Sequence, residues 1–138
     1  MANQINIPYQ MQSIFCSVAT NFFVSKGVSV YYTIPPQTTA PYIKISSLNI
    51  TKQAMANPSF VNINLGLTIY TDGSSNKQIL DIISSLDNEV VSLLNGSINS
   101  ANTIIIRNSY INDCKVTEII DRRGWIANCE MVLIGGLI

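Results

Sequence analysis

The 138-residue sequence contains no histidine. That removes the commonest general base, the usual serine and cysteine triads and most zinc sites, so acid–base or nucleophilic work would fall to carboxylates, lysines or cysteines. The eight acids are scattered over a helix, turns and strand edges, and none forms a spaced pair with a local reason to meet. Asp81, Asp87 and Glu89 read as the solvated face of a helix. Cys16, Cys114 and Cys129 are odd in number, and no two have the spacing of a metal knuckle or a redox pair; they are expected to be reduced, buried and inert. Gly73 stands alone, and Gly135-Gly136 is followed by two residues only, too few for the helix that a phosphate loop requires. Tyr31, Tyr32 and Trp125 could stack on a ligand, but aromatic residues in strands are normally packing residues. Arg122-Arg123 beside Trp125 is the most functional-looking local feature, because guanidinium groups in an exposed turn can engage a partner's carboxylates. The reading is a non-enzyme with no catalytic residue, no cofactor site and no metal site.

Eight basic residues balance eight acidic ones, and no like-charged run exceeds Arg122-Arg123, so no electrostatic footprint for nucleic acid is present. Charged residues make up 12% of the chain against 47% hydrophobic, which leaves Asn, Ser, Thr and apolar atoms to cover the surface and favours contact with other subunits. One core is expected, in a single domain spanning 1–138. Apolar stretches are interrupted well before the roughly 20 residues of a membrane span. Met1 to Tyr9 lacks the basic and apolar regions of a signal peptide, from which cytoplasmic synthesis is expected.

Pro8 reads as a first helical residue, with Ile7, Met11, Ile14, Phe15, Val18 and Phe22 at helical spacing to about Ser25 and Gly27 as a left-handed stop. Val28 to Thr33 reads as a strand and Ile34 to Pro41 as a proline-rich loop. Tyr42 to Ile50 is a second strand, followed by a polar stretch from Thr51 to Ser59. In the third strand Val61, Ile63, Leu65, Leu67 and Ile69 alternate with Asn62, Asn64, Gly66 and Thr68, the period of a half-buried strand. Ser75 and Gln78 suggest a capping box before a helix striped by Ile79, Ile82, Ile83, Leu86, Val90, Leu93 and Leu94, ending at Asn95-Gly96. Three further strands, Thr103 to Ile111, Lys115 to Ile120 and Trp125 to Ile134, are separated by Asn112-Asp113 and Asp121 to Gly124 as tight turns. The order α-βββ-α-βββ predicts an α+β fold, a mixed and mainly antiparallel sheet of about six strands with two helices packed on it.

Long exposed connections off a rigid sheet concentrate binding residues. Thr51, Lys52, Met55, Asn57 and Phe60 in the polar loop, with Arg122 and Arg123 in the last turn, are therefore the candidate interface residues. Met55 and Phe60 would add apolar anchor area and the arginines planar, always charged donors.

The layout resembles the tail-completion or tail-terminator family of long-tailed bacteriophages and gene transfer particles over nearly the whole chain. The residues carrying the likeness are Ala40-Pro41-Tyr42-Ile43-Lys44-Ile45, the Val61 to Tyr70 strand with Thr71-Asp72-Gly73-Ser74, and Asp121-Arg122-Arg123-Gly124-Trp125 leading into Cys129-Glu130-Met131-Val132-Leu133-Ile134. Tyr70 stands where the family often has tryptophan. The resemblance implies a homohexameric ring that caps the tail tube in the virion, joins it to the head connector protein and lets DNA pass through its lumen unread. Assembly in the host cytoplasm follows, with no membrane partner. A head-tail connector or other minor tail subunit is the nearest alternative; a small carboxylate-using enzyme or ligand-binding module is a more distant one.

Overall fold

The computed structural model describes residues 6–32, 40–52, 60–119 and 123–138. Helix α1 spans Ile7–Phe23, one residue earlier than the sequence suggests, because Asn6 Oδ1 accepts the Tyr9 N–H at 3.2 Å and acts as the N-cap. Pro8 remains in the first turn, where no amide donor is needed. A short 3-10 turn, Val24–Lys26, ends at Gly27 with φ +73°, the left-handed terminator that the sequence places there.

Among the described residues five strands follow, β1 Ser29–Tyr31, β2 Tyr42–Lys52, β3 Phe60–Asp72, β4 Ile104–Ile119 and β5 Gly124–Leu137, ordered β1-β2-β3-β5-β4 in one sheet. β1 runs parallel to β2 and every other pairing is antiparallel, so the predicted mixed α+β class holds. The strand count does not. The two expected strands on either side of Asn112-Asp113 are one 16-residue strand, and Asn112 is an extra residue inserted between Ile111 and Asp113. A similar shift falls between Ile106 and Asn108. Each bulge resets the alternation, so Ile104, Ile106, Ser109, Ile111, Cys114 and Val116 are directed to the core side despite spacings of two and three. Gly135 lies opposite the first bulge, where a Cβ would collide with the Ile105 carbonyl oxygen.

Between β3 and β4 the chain forms α2 Lys77–Ser85, a π-helical turn Leu86–Val90 and α3 Val91–Leu94. Ile79, Ile82, Leu86, Val90 and Leu94 are buried. Steps of four drift by about 40° each at 3.6 residues per turn, and the widened π turn takes up that drift and keeps Leu86, Val90 and Leu94 on one face. Leu93, assigned to that stripe from sequence, is 54% exposed instead, one position beyond the buried face. The expected capping box is not formed: Asn76 is the N-cap, and Ser75 Oγ accepts from the Lys77 N–H at 3.1 Å.

Both helical segments lie on the side of the sheet presented by Val61, Ile63, Leu65, Leu67 and Ile69, which are buried with Phe15, Phe23, Ile79 and Leu86 in one core. The alternation read in β3 thus has the expected phase. The cysteine reading needs correction. Cys114 and Cys129 face each other across β4 and β5, with Cα atoms 4.2 Å apart, and are joined by a disulfide; Cys16 is free. Each lies five residues from the Ile119 and Gly124 pair that closes the hairpin, and this register brings them together.

Candidate assembly surface

With both helical segments packed on one side, the opposite side of the sheet carries Asn49 on β2, Asn62, Asn64 and Thr68 on β3, and Asn128, Glu130, Val132 and Ile134 on β5. Asn49 pairs directly with Asn64. Thr68 Oγ1 donates to Asn128 Oδ1 at 3.3 Å, and Glu130 Oε1 accepts from Asn64 Nδ2 at 3.4 Å and from Asn112 Nδ2 at 2.9 Å. The carboxylate is thereby held by neutral amides on β3 and β4. Asn62 Oδ1 is buried without a hydrogen-bond partner, an unsatisfied acceptor near one end of this face, beside Thr51 and Ile134.

One end of the sheet is more apolar. There α1 begins, α3 ends, β4 starts and β5 finishes. Asn99 ties these elements: its Nδ2 donates to Gln10 Oε1 at 3.2 Å and its Oδ1 accepts from the Thr103 and Ile104 amides at 2.8 and 3.0 Å. Ile98 bridges to Ile105, Leu137 pairs with Ile104, and the Ile138 amide donates to the Thr103 carbonyl at 3.0 Å. Leu93, Ile98, Leu137 and Ile138 are all exposed around this tie, as is Tyr9 beside Gln10. Large apolar side chains gathered at one end have little reason to face water in an isolated subunit.

The sequence-derived interface residues divide between the two ends. Thr51 pairs with Asn62, Lys52 with Val61 and Phe60 with Gly136, all at the apolar end. Arg123 lies at the other end, exposed with φ +49°, its carbonyl accepting the Gly73 amide at 2.6 Å. The twelve steps of β3 from Phe60 to Asp72 separate the ends by about 40 Å at 3.3 Å per residue, so the two groups cannot form one patch. Met55, Asn57 and Arg122 lie outside the described residues. Ile98, Leu137 and Ile138 escaped the sequence reading because they share no periodicity; only the register of β4 and β5 gathers them.

The reactive-group inventory offers little chemistry. Burial raises the Cys16 thiol above its ordinary value, with a hydrogen bond from Tyr32 opposing in part, so the nucleophilic thiolate is disfavoured. Desolvation, followed by the Cys16 hydrogen bond, pushes the Tyr32 hydroxyl up to about 12. Lys77 and Asp81 form an exposed pair at 2.7 Å that raises the ammonium through that hydrogen bond. Among the described residues no three of Cys, Asp and Glu gather as metal ligands would, and no helix is long and apolar enough to cross a membrane. Trp125 packs against the core and donates from Nε1 to the Ser74 carbonyl at 3.3 Å, a packing role.

No protein-family model and no curated protein matches this sequence. The fold has a counterpart among solved structures: a chain from the virion of a native gene transfer agent particle superimposes with a TM-score of 0.72 at 10% identity, over 96% of this chain and 99% of that one.

Proposed function

We propose that this chain is a virion structural subunit, a tail terminator that assembles into a homohexameric ring capping the tail tube and joining it to the head connector. The observation that carries the reading is the near end-to-end likeness of fold to a chain of a gene transfer agent virion. An absence of histidine and a sheet face rich in amide and hydroxyl side chains agree with a structural rather than catalytic role.

The separation of the candidate contacts extends the reading. The apolar end, with Thr51, Lys52, Phe60, Ile98 and Leu137, and the opposite end, with Arg123, meet different neighbours, one the tail tube and the other the head connector. The amide-rich face lets DNA pass because its lysines, Lys44 and Lys115, are matched by Asp113 and Glu130 and leave no net positive charge to grip phosphates. The test is assembly mass by light scattering beside electron micrographs of the purified protein. A particle of six times the 15.2 kDa protomer with ring-shaped views is expected. A strict monomer at all concentrations that also fails to cap tail tubes overturns the proposal.

A further inference from the structure

The disulfide between Cys114 and Cys129 joins two sulfurs in unequal surroundings. Cys129 is 4% exposed, under the core beside Leu67, whereas Cys114 is half-buried on β4, two residues after the Asn112 bulge, at the edge of the sheet. The bond duplicates a β4–β5 ladder that already runs from Ile104 to Ile119, above a core closed by many other side chains. A crosslink that adds to an existing ladder, with one of its cysteines half-buried on the edge strand, has the character of an exchangeable bond rather than a permanent staple.

We propose that Cys114–Cys129 is a reversible thiol–disulfide latch on the outer half of the β4–β5 hairpin, exchanging with small-molecule thiols through Cys114. In opening, a glutathione thiolate attacks the Cys114 sulfur, the S–S bond breaks and Cys129 leaves as a thiolate that takes a proton. A second glutathione thiolate then attacks the glutathione sulfur of the mixed disulfide, releasing oxidised glutathione and the Cys114 thiolate. The protein disulfide gains two electrons and two protons, and two glutathiones are oxidised to one disulfide. Closure is the reverse. The latch does not depend on the assembly reading, since it works within one chain.

The experiment equilibrates the folded protein in glutathione buffers from fully reduced to fully oxidised, quenches with alkylating agent and reads intact and peptide masses, with hydrogen exchange on the two end states. Expected are full interconversion without unfolding, a mixed disulfide trapped on Cys114, and exchange of the 113–119 and 124–130 amides faster in the dithiol by on the order of a hundredfold, as for release of a loop of this size. In a Cys16→Ser background, which removes the free cysteine, the Cys129→Ser variant should take up one glutathione, and Cys114→Ser none until denatured. If the buried substitution prevents folding, the trapped wild-type adduct decides the same point. A bond that resists reduction while the chain is folded, an adduct on Cys129, or identical exchange in the two states overturns the latch.

Discussion

Asn112 donates from its side-chain amide to the Glu130 carboxylate at 2.9 Å, and Asn112 is the residue that β4 inserts as a bulge. The inserted residue therefore tethers its own strand to β5, while Asn64 reaches the same carboxylate from β3. Glu130→Ala should cost about 1–2 kcal/mol in urea unfolding, since two amides lose a charged but half-exposed acceptor. Glu130→Gln, which keeps an acceptor oxygen, should cost less than half as much. Equal costs for the two would show that the amide contacts contribute nothing.

Leu65 is fully buried, whereas its neighbour Asn64 faces the other side of the sheet. Leu65→Ala should lower stability by roughly 2–5 kcal/mol and Asn64→Ala by about 1 kcal/mol or less. Denaturant midpoints of the two variants check the phase of β3, and similar losses would contradict it.

A Cβ at Gly135 would meet the backbone oxygen of Ile105, which cannot rotate away as a side chain could. Gly135→Ala should therefore cost roughly 1–3 kcal/mol through backbone displacement at the first bulge. Thermal unfolding measures it; an unchanged midpoint would mean that β4 is not held against β5 in this register.

The pH dependence at the alkaline limit follows from Tyr32. Its folded value of about 12 exceeds the ordinary value of 10.0, so the native state retains a proton that the unfolded chain gives up. The stabilisation is complete below about pH 10 and is lost as pH rises toward 12. Tyr32→Phe should flatten the fall in stability over that window, with Cys16, whose thiol is also raised, adding a part that begins lower. Urea titrations of both proteins across the window test this, and identical slopes would reject it.

Much of the fold was legible where one period held. The alternation of Val61 to Ile69 and the helical spacing of Met11 to Phe22 each reflect one buried face, and both lie where expected. Legibility failed where the period changed within an element. Asn112-Asp113 has turn chemistry, yet the apolar spacing across it continues if one residue is inserted, so tertiary pairing with β5 overrides the local signal. The Cys114–Cys129 bond was hidden for a related reason: a two-residue error in the closing pair places Cys114 opposite Met131 rather than Cys129. The candidate interface residues rest on loop length and side-chain type, which carry no information about which end of the sheet a loop occupies.

That division into two ends makes the last prediction. Ile98 and Leu137 are exposed at the end shared with Thr51, Lys52 and Phe60, so replacing both by Asp should leave the monomer folded, as circular dichroism would report. The charges would be desolvated in any apolar contact made there, which blocks that contact. Shortening the segment from Thr51 to Ser59 should produce the same defect, because it acts on the same end. Arg122→Ala with Arg123→Ala acts about 40 Å away along β3, where Arg123 adjoins Gly73. If the ends serve different partners, the first two variants fail at one joint and the arginine variant at the other. Light scattering of the purified variants, beside separate assays for tube capping and head joining, distinguishes the steps. Failure of all three variants at one step would remove the two-ended arrangement, and wild-type assembly by all three would remove both ends as contact surfaces.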